Sequence, residues 1–356
     1  MQTKITMILR KYSIFLVLIA MIIVGHLLHH NFLTVANMTN VARQLTVPAI
    51  LAFGATILII GGMLDLSAGS VLALAGVLAT QIYVDTDSLV LAMIVGIVVG
   101  MLCNGLNAVM VASLKAPPFI ATLAMMAMAR GAALQYTEGR NVVLEQDSRF
   151  SVFGQGDFDI PWFDGEPLIT VPYPIVFLII VFIITWYILR HTRLGRSAYA
   201  IGGNEEAAKA SGINVVRSKY MMYLINGAFV GLAGVLFMSR INIGQPNGAE
   251  GYEFQALTAA VIGGTSFSGG VGTASGTLAG AFIVRFLDNI MNLYGVGSHI
   301  QRIVRGAIIA LAVIYDIWMK NRKTKSVMGN IEAKEAIEVE KAEDSDAQPD
   351  SKGGDG

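Results

Sequence analysis

Apolar runs of about 20 residues recur along this chain, each long enough to cross a hydrocarbon core of roughly 30 Å. That repetition leaves little freedom. In lipid every backbone N–H and C=O must be satisfied internally, so only helices or closed barrels can span. The runs are continuous and do not alternate, which selects helices. Composition agrees: 54% of the 356 residues are hydrophobic and only 14% are charged. The expected fold class is all-α, a polytopic inner-membrane bundle of about ten transmembrane helices.

The predicted spans are 13–29, 45–63, 69–84, 89–112, 118–136, 173–189, 220–239, 253–267, 272–293 and 302–319. The first follows a basic start, as a signal peptide would. It has no clear small-residue cleavage site, so it reads as a retained span. Spans 69–84 and 253–267 are short and rich in small or polar residues, the mark of partial helices lining a cavity.

Basic residues set the orientation. Lys4, Arg10 and Lys11 precede the first span; Lys320, Arg322, Lys323 and Lys325 follow the last; Lys115 lies on the same side. Between them, segment 190–219 carries Arg190, Arg193, Arg196, Lys209, Arg217 and Lys219. The positive-inside rule places all of these in the cytoplasm, together with both termini. A polar loop of that kind reads as a docking surface for a soluble partner. The loop 137–172 is acidic and falls outside. The expected organisation is a cytoplasmic N-terminus over 1–12, a permease domain over 13–319, and a tail over 320–356. That tail is basic and then acidic, and reads as disordered.

Glycine is abundant, with 38 residues, many inside spans. Gly96 and Gly100, Gly227 and Gly231, and Gly276 and Gly280 each repeat at a spacing of four, a close-packing pattern. Packing within one subunit is the favoured reading. The stretch Ile60-Gly-Gly-Met-Leu-Asp-Leu-Ser-Ala-Gly is echoed, with a gap, by Ile262-Gly-Gly-Thr-Ser-Phe-Ser-Gly-Gly. Both are expected to be hairpins turning on the inside, which hints at duplicated halves.

Several chemistries are missing from the sequence. It has no G-x-x-x-x-G-K-[ST] phosphate loop, no nucleophile elbow, no H-E-x-x-H and no paired-carboxylate constellation. No nucleic-acid signature appears. The sole cysteine, Cys103, lies in an apolar run and cannot form an internal disulfide. His26, His29 and His30 have a spacing compatible with metal, but no carboxylate or cysteine completes a site nearby, so an interfacial polar cluster is favoured. The expectation is a non-enzyme without a metal or bound cofactor.

Polar groups inside spans are costly and therefore informative. Asp65 and Ser67 sit at the inside end of the second span, where capping of the next helix is the favoured role for the carboxylate. Arg130 lies well inside the fifth span, and Arg285 and Asp288 are placed to pair with each other. Asn104 and Asn107 share one helix face; Asn226, Gln255 and Thr258 lie on later spans. Amides and hydroxyls suit a neutral polyol, although for any one of them interhelical hydrogen bonding is the simpler role. Asp65, Ser67, Asn104, Asn107, Asn226, Gln255 and Thr258 are the candidate pathway residues.

Five motifs now stand in order: Asp65-Leu-Ser-Ala-Gly-Ser-Val-Leu-Ala-Leu, Pro118-Phe-Ile-Ala-Thr-Leu, Thr192-Arg-Leu-Gly-Arg, Ala200-Ile-Gly-Gly-Asn-Glu-Glu-Ala-Ala and Ile262-Gly-Gly-Thr-Ser-Phe-Ser-Gly-Gly-Val-Gly. Over about residues 45–320 the chain resembles the permease subunits of bacterial ATP-binding-cassette importers of ribose, galactose, arabinose and xylose. The wording is closest to ribose-type permeases. The resemblance implies a dimer with itself or a paralogue, a cytoplasmic ATPase that uses ATP and magnesium, and a periplasmic or lipid-anchored sugar-binding protein. It implies a coupling helix after the sixth span, which falls on Gly202, Gly203, Asn204, Glu205, Glu206, Ala207, Ala208 and Gly212. The missing phosphate loop then fits, because energy arrives through that contact. Arg140, Arg149 and Arg240 are candidates for docking the binding protein. Two other readings stay open: an ion-coupled secondary transporter, and import of another small furanose-like ligand.

Overall fold

The apolar runs become helices in a computed structural model, which describes residues 2–145, 148–161, 167–311 and 314. In chain order these are α1 (Gln2–Leu28), α2 (Val35–Ile60), α3 (Ala68–Thr86), α4 (Leu89–Ala108) with a π-helical turn at Val109–Ser113, and α5 (Pro118–Thr137). Strand β1 (Val142–Val143), the short α6 (Val152–Gln155), β2 (Asp157–Pro161) and β3 (Pro167–Pro172) follow. Then come α7 (Tyr173–His191), α8 (Arg193–Gly203), α9 (Glu205–Ala210), α10 (Val215–Ile241), β4 (Ile243–Gly244), α11 (Tyr252–Ile262) and α12 (Ala274–Leu293). A further helical stretch covers 298–311.

Among the described residues five helices are long and apolar enough to cross a membrane: α2, α3, α4 with its π-turn, α7 and α10. They divide by position. The most apolar windows of α2 and α10 are 83% and 72% buried, against 22% for α4 and 28% for α7. The first pair forms the centre of the bundle. The second pair forms its outer wall, with Leu102, Leu106, Ile179 and Ile183 turned outward as lipid-facing side chains must be.

Boundaries shift from the sequence expectation where polar residues lie inside a helix. The second span was expected from 45, but α2 starts at Val35, where Thr34 accepts the Asn37 N–H as N-cap. Segment 253–267 yields only the eleven residues of α11, about 16 Å at 1.5 Å per residue, which is half a membrane. The expected tail over 320–356 and the second half of the tenth span lie outside the described residues.

Glycine decides how the centre packs. α4 crosses α10 so closely that a β-carbon on Gly100 would overlap the backbone of Gly227 and Gly231, and one on Gly231 the backbone of Gly96 and Ile97. Gly76 of α3 meets Gly234 of α10, and Gly280 of α12 meets Ala259 of α11, in the same way. Every one of these contacts is within the chain, as the packing reading expected. Without a hydrophobic drive between helices in lipid, such approach is what dispersion and backbone contact require.

The acidic loop between α5 and α7 folds into small sheets. β2 pairs antiparallel with β3, and β1 pairs antiparallel with β4 far along the chain. Arg43 on α2 bonds Asp157 of β2, and Ser239 of α10 donates to the Phe150 carbonyl. Contacts divide the chain into a unit ending at Ile309 and a second from Ala310; all of the elements labelled above belong to the first.

Candidate functional site

The helix end at Ile60 and the one at Ile262 are built identically. After α2, Gly61 N–H donates to Ile57, Gly62 to Ile59 and Met63 to Leu58. After α11, Gly263 donates to Ala259, Gly264 to Val261 and Thr265 to Ala260. Gly62 and Gly264 hold the left-handed φ values of +74° and +86° that this cap demands. The sequence echo is therefore a structural one. It ends at the cap, because α12 starts relatively four residues later than α3.

Both ends meet at the polar loop. Gly270 N–H donates to the Ile60 carbonyl at 2.8 Å. Gly202, near the end of α8, lies against that same carbonyl, against Gly270 N and in the path of any side chain at Gly269. Tyr199 on α8 donates to the Gly272 carbonyl at 2.8 Å. A side chain at 202 would have nowhere to go. The three backbones thus stack without intervening side chains.

From this platform α9 projects. Asn204 caps it by accepting the Ala207 N–H at 3.0 Å. Gly212 closes it with φ +83°, donating to Lys209 while Ile213 donates to Ala208. Ala208 is buried beneath, and Glu205, Glu206, Ala207, Lys209 and Ala210 are exposed. Gly203 has open space around it. Glu205 pairs with Lys219 at 2.9 Å. The polar loop expected from charge alone is a short, capped, solvent-facing helix standing on a rigid base.

The candidate pathway residues separate into two groups. Asp65, Ser67, Asn104, Asn107 and Asn226 form one buried network, none more than 3% exposed. One Asp65 carboxylate oxygen accepts the Ser67 N–H at 2.8 Å and the Ser67 hydroxyl; the other accepts Asn226 at 2.7 Å. Asn226 also donates to Asn104 at 2.9 Å, and Asn107 donates to Ser67 at 3.1 Å. Beside them Tyr223 donates to the Leu64 carbonyl at 3.2 Å. The carboxylate orders the turn before α3 by holding Ser67, but it does not cap that helix: Ser67 is the N-cap, and no side chain among the described residues makes a cap hydrogen bond there. The carboxylate also ties that turn to α4 and α10, which the sequence did not reveal. Within the network the Asn107 Oδ1 is buried without a hydrogen-bond partner among the described residues.

Gln255 and Thr258 lie elsewhere. They line a cavity of about 630 Å³ bounded by α5, the start of α11, α12 and the stretch 298–309. Phe254 and Glu250 line it too and are exposed, as is Arg302. Arg130, the puzzling charge inside the fifth span, holds the irregular segment before α11 by donating to the carbonyls of Pro246 and Gly248. Glu253 is buried, its carboxylate lying over Gly69 in the first turn of α3, where a side chain would collide with it.

The expected pair forms: Arg285 and Asp288 are 4.0 Å apart. Each also has a partner from another helix, Asp288 bonding Arg305 at 3.0 Å and Arg285 bonding Gln44. His29 accepts the Asn31 N–H at 3.2 Å and packs edge-on against Tyr294. Among the described residues no group of three His, Cys, Asp or Glu is placed to hold a metal ion. Arg140 and Arg149 are exposed on the acidic-loop side, whereas Arg240 is half-buried, stacked over Phe237 with its guanidinium 3.3 Å from the Tyr252 hydroxyl.

Comparison with known proteins agrees with this architecture. A family profile described as branched-chain amino acid transport system / permease component matches residues 37–313. The ribose import permease protein RbsC of Escherichia coli K12 is 42% identical over 301 residues, covering 84% of this chain and 91% of the relative. RbsC of Bacillus subtilis is 39% identical over 310 residues, covering 87% and 93%. The L-arabinose transport system permease protein AraH of Escherichia coli K12 is 34% identical over 313 residues, covering 88% and 92%. No solved structure matches. With a profile spanning most of its length and relatives aligned nearly end to end, the chain belongs to this family of polytopic transport permeases.

Proposed function

We propose that this chain is the non-catalytic permease subunit of an inner-membrane ATP-binding-cassette importer of a ribose-type monosaccharide. The relatives at 38–42% identity are ribose import permeases, while the arabinose permeases stand further off at 33–34%. The observation that carries the mechanism is the side-chain-free stack of Gly202 on Ile60 and Gly269–Gly270.

In this reading a cytoplasmic ATPase binds the exposed face of α9, with Glu205 and Glu206 presented to it. ATP with its magnesium is held and hydrolysed by that partner. The movement it imposes passes through α8 into the turns at Ile60 and Gly270. Those turns head α2 and α11, so the inner bundle tilts while the outer wall of α4 and α7 stays against lipid. On the opposite side a loaded sugar-binding protein docks near Arg140 and Arg149, with Arg240 bracing the surface behind them. A second copy, or a close paralogue, completes the passage. The buried Asp65 network holds the α3 turn, α4 and α10 together as one moving body.

The test is uptake of radiolabelled ribose, galactose, xylose and arabinose into proteoliposomes holding this chain, its ATPase and its binding protein. Uptake that needs all three and internal ATP supports the reading and ranks the sugars. Uptake by this chain alone, driven by an ion gradient, overturns it in favour of a secondary transporter.

A further inference from the structure

A permease fed by a high-affinity binding protein has no need of a sugar site of its own, yet the structure contains a cavity shaped for one. It lies between α5, α11, α12 and the stretch 298–309, and its volume of about 630 Å³ falls within the 300–1,000 Å³ typical of small-molecule pockets. Its depth follows from helix length. α11 ends at the Gly263 turn beside the coupling loop and has eleven residues, so its start lies about 16 Å further in, near the middle of the hydrocarbon core. Glu250, Phe254 and Gln255 are at that start. Charged groups at such a depth cannot face lipid and mark a watered passage.

The chemistry of the wall is specific. Thr258 donates to the Phe254 carbonyl at 2.6 Å, which leaves its oxygen free to accept. The Gln255 amide has no hydrogen-bond partner among the described residues, and neither Glu250 nor Arg302 is in an ion pair among them. Arg305 is already committed to Asp288. Phe254 is 49% exposed, an aromatic face beside this row of donors and acceptors. Glu250 and Glu253 on the wall are matched by Arg302 and Arg305, so the formal charges of the lining balance. A ring with a C–H face and several hydroxyls matches this wall.

We propose that this cavity is a transit site for the sugar as a neutral polyol, with Phe254 stacking on its ring and Glu250, Gln255 and Thr258 exchanging hydrogen bonds with its hydroxyls. This rests on the importer reading and deepens it. A transit site must release what it takes, so a few hydrogen bonds and one stacking face are the appropriate strength.

The sole cysteine makes a direct test simple. In the assembled complex, Cys103→Ser with Gln255→Cys is expected to react with a small charged methanethiosulfonate reagent, and ribose at saturating concentration slows that reaction. Separately, Glu250→Gln and Phe254→Leu are expected to cut ATP-dependent ribose uptake by about tenfold while binding-protein-stimulated ATP hydrolysis is retained, the pattern of lost contacts to the passing ligand. Gln255→Trp, which fills the cavity, abolishes uptake with hydrolysis retained. Wild-type uptake in Glu250→Gln and Phe254→Leu, together with labelling indifferent to ribose, overturns the transit site and leaves the importer reading intact. If the unmutated complex shows no ATP-dependent uptake, the importer reading has failed and the transit site falls with it.

Discussion

Ile60 accepts a hydrogen bond from the Gly270 N–H at 2.8 Å, and Gly202 is packed against the same carbonyl. Three segments remote in sequence therefore share one oxygen. Any side chain at 202 must push α8 away from both turns. Gly202→Ala is expected to cost about 1–3 kcal/mol, the usual penalty of overpacking. It should also lower sugar moved per ATP hydrolysed, because the stack that transmits motion is opened. Thermal unfolding in detergent and the uptake-to-hydrolysis ratio read the two effects. Gly203→Ala is the matched control for packing, since Gly203 has open space and should unfold as wild type does.

Glu205 and Glu206 are adjacent but differ in what they touch. Glu205 pairs with Lys219, while Glu206 is in no ion pair among the described residues. An exposed pair contributes about 0–1 kcal/mol, so neither Glu205→Lys nor Glu206→Lys should shift the melting temperature of the isolated chain much. Both are expected to weaken binding of the ATPase and to separate hydrolysis from uptake. Glu206→Lys is the cleaner of the two, because no internal partner is lost. Normal uptake at ordinary partner levels in both variants would remove these acids from the coupling role.

The Asp65 network makes the opposite prediction, an effect on stability rather than on transport. Asn226 bridges Asp65 and Asn104. Asn226→Ala would leave the carboxylate and an amide oxygen without that donor, at about 1–3 kcal/mol for each stranded group. The melting temperature should fall clearly. Uptake per folded molecule should change little, since no residue of the network lines the cavity. A loss of uptake with unchanged stability would restore these residues to the pathway.

The fold class was legible because long apolar runs admit few solutions, and the cytoplasmic loop because charge marks it. The Gly-Gly echo at Ile60 and Ile262 was legible as well, since a left-handed helix cap demands glycine there. What stayed hidden was partnership. Asp65, Asn104 and Asn226 looked like ligands for a polyol as readily as ligands for one another, and only the crossing of α4 on α10 shows that they bond one another. The local spacing of Arg285 and Asp288 revealed their pair, but not Gln44 and Arg305, which approach them from other helices. Arg130 had no visible partner because it binds backbone carbonyls, which carry no sequence signature.

That last contact supports a final prediction. Residues 245–251 run without regular structure close to the start of α11, at a depth where free carbonyls are costly. Arg130 serves two of them, those of Pro246 and Gly248, with one guanidinium nitrogen. Arg130→Met keeps the packing stem and removes both donors. Each carbonyl left without a partner costs about 1–3 kcal/mol, so the segment should loosen while the α4–α10 crossing stays intact. Hydrogen exchange is expected to quicken over 245–256 and to remain slow in α10. Arg130→Lys, with a single ammonium in place of the fork, should fall between the two because it can still reach one carbonyl. Equal protection of 245–256 in wild type and Arg130→Met would show that the segment holds its shape by packing alone. The charge inside α5 would then need another explanation.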